Sequence, residues 1–175
     1  HHQCGPALPE AVAVINPNRN PETQKQHPLA GVGVVGKIIQ ALKGASFLER
    51  YLDLIALGTI ADVVPLIGDN RVFVAQGLKK INRNPSAGIK ALIEVTGIRD
   101  TRINTGSIAF TLAPRLNAAG RIDDPLKGFK LLSSTKVSHA MPIARFLDKQ
   151  NRQRQAIEAD IIEDAQDMIE KQINL

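Results

Sequence analysis

Three stretches of this chain carry residues whose types and spacing could do chemistry. Leu112 to Arg121 (LAPRLNAAGR) sets two guanidiniums, Arg115 and Arg121, and the Asn117 amide among small residues. Small side chains let a backbone approach a ligand closely, and planar Arg forks match phosphate oxygens. Ala56 to Pro65 (ALGTIADVVP) holds one carboxylate, Asp62, in an otherwise apolar run. A carboxylate buried there must be paired or metal-bound, since an unpaired buried charge is costly, so Asp62 is a candidate metal ligand or general base. If it ends a helix before Pro65, it simply faces water. His1 and His2 supply two imidazoles, which ligate Mn²⁺ or Zn²⁺, whereas Mg²⁺ and Ca²⁺ prefer oxygen. The same pair also reads as the remnant of an affinity tag. Two imidazoles and one carboxylate are too few for a two-metal site, whose ions stand roughly 3.5–4 Å apart and share several ligands. Together these residues point to a metal-dependent enzyme of phosphate chemistry whose ligand set is incomplete in this piece.

The charge balance agrees with such a substrate. The chain has 175 residues and a net charge of +5, but residues 1–156 carry 21 Lys/Arg against 11 Asp/Glu, or +10. Residues 157–175 carry six acids and one Lys, or −5. A basic body suits a polyanion, because Lys and Arg neutralise phosphates and release counterions; it also suits an ordinary solvated surface. With five Phe and one Tyr, base-stacking platforms are scarce. Cys4 is the only cysteine, which excludes an internal disulfide, fits a reducing cytoplasm and gives no reason to assign a nucleophile. No apolar run is long enough to span a membrane and the first residues do not read as a signal peptide. With no initiating Met, the chain reads as a fragment. Gly31 to Lys37 (GVGVVGK) matches the dinucleotide fingerprint only superficially. No strand precedes it and no acid follows about 20 residues on, so close helix packing explains the glycines better, with Lys37 placed near a phosphate. Asn151, Arg152 and Arg154 could touch a polyanion or form a solvated face, and His27 and His139 have no partner pattern.

The elements that must position these groups are mostly helical. Ala11 to Ile15 reads as a buried strand, followed by a loop over 16–28. Helices are predicted from Val32 to Leu42, stopped near Gly44, and from Phe47 to Val63, ended by Pro65. Asn70 is expected to cap a helix to Ile81, and Asn84 to Ser86 to cap another ending at Gly97. A helix begins at Asn104–Thr105 and breaks at Ala113–Pro114, and a short one after Pro125 reaches Leu132. Val137 to about Gln172 should be one long helix. Its polar middle, Asp148 to Gln155, has no apolar stripe, as in a helix that bridges two bodies across solvent.

Taken in order, these stretches resemble a known family. The quoted matches are His1–His2; Leu8, Pro9 and Ala11; Ile15 to Pro17; Ala30 to Val34; Leu52 to Leu54; Ala56 to Thr59; Ala61 to Leu66; and Ala113 to Arg121. Together they resemble RecJ-type single-strand-specific exonucleases of the DHH phosphoesterase superfamily, over nearly the whole chain. Leu147, Asp148, Asn151, Arg154, Gln155 and Glu158 resemble that family's connector helix. The resemblance implies an α/β, helix-dominated fragment. Residues 1–135 would be the C-terminal portion of a Rossmann-like DHH catalytic domain, and 136–175 a connector helix toward a missing DHH-associated domain. It implies 5′-to-3′ hydrolysis of single-stranded DNA with Mn²⁺ or Mg²⁺ in DNA repair and recombination, in the cytoplasm, with single-stranded-DNA-binding protein as a further partner. His1 and His2 would end the Asp-His-His motif and Asp62 would be the carboxylate of the fourth motif, all three at the metals. Arg115, Asn117 and Arg121 would lie near the substrate phosphate.

The chain also departs from the family. Ile122, Asp123, Asp124 and Pro125 stand where a small residue and one acid are usual. The Asp-rich motifs upstream and the DNA-gripping domains downstream are missing from the piece. Rival readings are a superfamily phosphodiesterase acting on nanoRNA or cyclic dinucleotides, and a non-catalytic replication scaffold. On the leading reading, these 175 residues alone show no appreciable nuclease activity and only weak metal affinity. Manganese-dependent degradation of single-stranded DNA by the isolated piece would contradict this.

Overall fold

Leu52–Ala61 is apolar around nearly its whole circumference, and a helix of that kind has to be enclosed by others. The computed structural model, which describes Gly5 and residues 7–19, 29–98, 102–122 and 126–173, encloses it. In chain order the helices are α1 (Gly31–Lys43), α2 (Ala45–Leu48), α3 (Leu52–Ala61), α4 (Gly68–Arg83), α5 (Ala87–Thr96), α6 (Thr105–Ser107), α7 (Ala113–Ile122), α8 (Leu126–Leu132) and α9 (Val137–Ile173). A 3-10 turn over Glu49–Tyr51 joins α2 to α3, and a π-helix over Ile108–Leu112 joins α6 to α7. The architecture is thus helix-dominated, as expected.

Two apolar clusters share α3. Leu57 and Ile60 pack with Ile81, Ile89, Leu92, Leu112 and Leu147 in the larger one. On its other side Ile55 joins Leu29, Val34, Leu48 and Phe73. The α3–α4 crossing is backbone-tight. A Cβ added to Gly77 would collide with the Leu52 carbonyl oxygen and the Ala56 Cβ. Asp53 is fully buried beside this crossing. Its carboxylate accepts from the Leu54 N–H at 3.1 Å and the Ser86 N–H at 2.8 Å, and Lys80 Nζ stands 3.8 Å away. One acid thereby ties α3 to the start of α5.

Several expectations need correction. Ala11 to Ile15 forms no strand. Val12 and Ile15 are exposed, and none of the described residues offers a strand edge to complete a ladder. The helix expected over 47–63 is split by the 3-10 turn and ends at Ala61. Asn70 caps nothing: it lies inside α4, buried, and its Nδ2 donates to the Pro65 carbonyl at 3.0 Å, closing the α3–α4 loop. Pro114 does not break its helix. The Ala113 N–H reaches back to the Ile108 carbonyl in the wide π register, so the chain enters α7 without a sharp stop. The polar middle of α9 is not wholly solvated, since Asn151 is buried and Asp148 nearly so. Ser86 stands at the N-cap position of α5 but its side chain makes no capping hydrogen bond, because its hydroxyl faces no free N–H among the described residues. Other expected features are present. Gly97 takes a left-handed φ of 73° to end α5, Asn104 and Ser107 form a capping box, and Val137 starts one long helix. The glycines of α1 serve packing: a Cβ on Gly36 would meet Ile55 Cδ1 at 2.9 Å.

Gly77→Ala forces α3 and α4 apart against backbone atoms. It should destabilise the protein by about 3 kcal/mol in chemical denaturation, and a change under about 0.5 kcal/mol would mean the crossing is looser than described.

Candidate active site

Where α1 and α3 meet, Val32 lies against Gly58, and a Cβ there would stand 2.9 Å from Val32 Cγ1. This contact brings the first turn of α1 beside the last turn of α3. Between them opens a cleft of ≈ 420 Å³, lined by Ala30, Gly31, Gly58, Ala61, Asp62 and, from α7, Asn117. Asp62 is the C-cap of α3, exposed, with its N–H donating to the Gly58 carbonyl at 3.0 Å. It is therefore the helix-terminal, water-facing carboxylate and not a buried one.

The electrostatics of the cleft are polar in the literal sense. The last carbonyls of a helix carry roughly half a negative charge and its first N–H groups half a positive one. Asp62 adds a carboxylate to the negative end of α3, an arrangement that a cation relieves. Across the cleft α1 begins with no acid in its first turn and no side-chain cap, leaving its N–H groups for an anion. The cleft therefore offers a cation pole and an anion pole facing each other. Just past Asp62, Val63 has φ 55°, a left-handed conformation that costs a β-branched residue on the order of 1–2 kcal/mol. Such strain fixes the direction in which the chain leaves the acid.

The other residues singled out in the sequence separate. Asn117 lines the cleft and is exposed. Arg115, two positions earlier and about 200° around the helix, points elsewhere. Its Nε donates to Asp148 Oδ1 at 2.8 Å and its Nη1 to the Thr111 carbonyl at 2.6 Å, with both side chains 13% exposed. It clamps α7 to α9 and does not line the cleft. Lys37 does not line it either. It pairs with Asp69 at 2.9 Å, stands over the Phe73 ring, and borders a different open groove with Arg19. Arg152 pairs with Asp148 and Arg154 with Glu158. His1, His2, Cys4 and His27 lie outside the described residues, as does the side chain of Arg121. Among the described residues no three His, Cys, Asp or Glu cluster as a metal centre. Asp62 supplies one hard oxygen donor, suited to Mg²⁺ or Mn²⁺. What the sequence did not reveal was the part played by Ala30 and Gly31. Their only signal is the absence of acid and cap at the start of a helix.

Asp148→Ala leaves the Arg115 guanidinium half-buried without its carboxylate and should cost about 3 kcal/mol of stability. Asn117→Ala, on the surface, should stay within about 0.5 kcal/mol. Equal losses in thermal or denaturant unfolding would contradict this division.

No family model matches the chain. It is 38% identical over 172 residues to the single-stranded-DNA-specific exonuclease RecJ of Bacillus subtilis, covering 98% of this chain and 22% of that protein. The RecJ of Dickeya dadantii is 41% identical over 174 residues, covering 91% of this chain and 30% of the relative. The Escherichia coli RecJ is 38% identical over 186 residues, with 98% and 32% covered. Among solved structures, RecJ from Thermus thermophilus in complex with Mn²⁺ superposes with a TM-score of 0.83 at 32% identity, over 94% of this chain and 25% of that one. A second, exonuclease RecJ bound to manganese, gives 0.65 at 33% identity over 75% of this chain and 33% of that one. The chain is thus similar along almost its whole length to the RecJ single-stranded-DNA-specific exonucleases, and spans about a fifth to a third of theirs.

Proposed function

We propose that this chain belongs to the catalytic part of a metal-dependent exonuclease that degrades single-stranded DNA from its 5′ end. The observation that carries this reading is the two-pole cleft, with a carboxylate on a helix C-terminus facing an open helix N-terminus. A phosphodiester with its divalent counterion has that same charge pattern.

In this reading Asp62, His1 and His2 hold the metal. Mn²⁺ or Mg²⁺ held there supplies positive charge to the phosphate and to its leaving oxygen. The backbone N–H groups at the start of α1 and the Asn117 amide donate to phosphate oxygens, with Arg121 as a further contact. Arg115 acts indirectly, fixing α7 and hence Asn117 through Asp148. Lys37 belongs to the wider basic surface that draws in the strand. Residues 1–135 form the C-terminal portion of the catalytic domain, and 136–175 the helix leading to a further domain. The setting is cytoplasmic DNA repair and recombination, with single-stranded-DNA-binding protein as a partner. Among the described residues no helix is long and apolar enough to cross a membrane. Kinship with DNA exonucleases favours long strands over dinucleotides as substrate, and the presence of Asp62 favours catalysis over a scaffold.

The test uses the protein encoded by the complete reading frame. It should shorten 5′-phosphorylated single strands from the 5′ end with Mn²⁺ and stop on chelation. Asp62→Asn should lower the turnover number by about 100-fold or more without unfolding the protein. Full activity of that variant, or preference for dinucleotides over long strands, would sink the reading.

A further inference from the structure

Past Asp53, the residues of α3 that are not buried are Leu54, Gly58 and Ala61, three and four apart on one face, with Val32 packed on Gly58. One end of this face is the Asp62 cleft. At the other end, roughly 16 Å away along the helix, a second groove of ≈ 680 Å³ opens beside Arg50, Tyr51 and Leu54. Its far wall is α8, with Phe129, and the residues just past it, Ser133 and Ser134. The two grooves thus lie toward opposite ends of one helix, with Val32 seated on Gly58 between them.

The chemistry of the second groove is unlike a core. Phe129 is 68% exposed, a large ring held in water without burial to justify it. Tyr51 is pre-oriented by a tilted contact with Phe47 at 5.5 Å, and the Arg50 guanidinium stands over that same Phe47 ring at 5.2 Å. Ser86 also borders the groove, its hydroxyl screened from solvent. Among the described residues no acid lines the groove, and residues 1–156 carry a net charge of +10. Rings for stacking beside a guanidinium, on a chain whose first 156 residues are net positive, match a single nucleic-acid strand better than an apolar peptide.

We propose that this groove is a second contact for the single strand, in which bases a few nucleotides from the scissile bond stack on Phe129 and Tyr51 while Arg50 meets the backbone. The proposal rests on the exonuclease reading and adds to it a contact for the strand outside the cleft. The loss of one stacking platform is measurable as roughly a tenfold change in affinity.

The experiment uses the protein from the complete reading frame in EDTA, so that binding is read without hydrolysis. Fluorescence anisotropy of a 5′-phosphorylated dodecamer should show Phe129→Ala binding about tenfold more weakly, and Phe129→Tyr restoring the affinity. Arg50→Gln should lower the slope of log affinity against log salt by about 0.7. A 2-aminopurine moved along the strand should be quenched at an internal position by the wild type and not by Phe129→Ala. Both residues are on the surface, and unchanged thermal unfolding separates these effects from misfolding. If the wild type degrades single strands but Phe129→Ala binds the dodecamer equally well at every label position, the second contact is refuted while the exonuclease reading stands. If the wild type neither binds nor degrades single strands, the exonuclease reading itself fails.

Discussion

The site depends on the tight crossing of α3 over α4 at Gly77. Because no side chain intervenes, the Leu52 carbonyl and Ala56 press directly on α4, and α3 is held from that side by backbone. The two apolar clusters then claim Ile55, Leu57 and Ile60, and the Asp53 carboxylate pins the start of the helix to Ser86. What remains of α3 for solvent is one narrow face. That face ends at Asp62, and its direction is not free to vary, because every other side of the helix is already engaged.

From this constraint the electrostatics follow. Val32 on Gly58 sets the start of α1 against the end of α3, so two helix ends of opposite sign share one cleft. Neither pole is strong alone, since a helix end amounts to about half a charge and is screened by salt. Asp62 adds a full negative charge to the negative pole. The positive pole then faces whatever anion a cation bound there carries. A buried acid in the same stretch would have needed a fixed internal partner, as Asp53 has in Lys80. An exposed acid at a helix end is placed by the backbone and presents its carboxylate at the mouth of the cleft. The left-handed Val63 belongs to the same positioning, since it turns the chain away immediately after the acid.

Much of this was legible in the sequence. The helices over 31–43, 87–96 and 137–173 follow from periodicity and Gly97, a helix start is expected at Asn104–Thr105, and the order of motifs pointed to the proteins this chain is similar to. The misses share a cause: they depend on what lies across space. Ala11 to Ile15 has strand composition, but a strand exists only with a neighbour to pair with. Asn70 and Pro114 carry cap and breaker signals, yet Asn70 finds the Pro65 carbonyl instead and a π turn absorbs Pro114. Arg115 and Asn117 look equivalent in a string of letters, but on a helix two positions apart means nearly opposite faces, and Asp148 claims the guanidinium. The start of α1 gave no positive signal at all, because its contribution is backbone.

The last helix carries the same segregation of charge to the scale of the whole chain. Up to Asn151 it is part of the body, with Ala140, Ala144 and Leu147 fully buried and Asp148 held by two arginines. Beyond Gln155 every described residue is exposed, and the acids outnumber the bases six to one. The isoleucines of that half, Ile157, Ile161 and Ile162, stay in water although an apolar body is at hand. Folding back would bring them to that body, but a continuous helix cannot turn without breaking its hydrogen bonds, so the helix holds them away. The acidic half would also be repelled by any polyanion drawn to the basic body. Helix rigidity and charge repulsion thus act in the same direction, holding the acidic half of the helix away from the basic body.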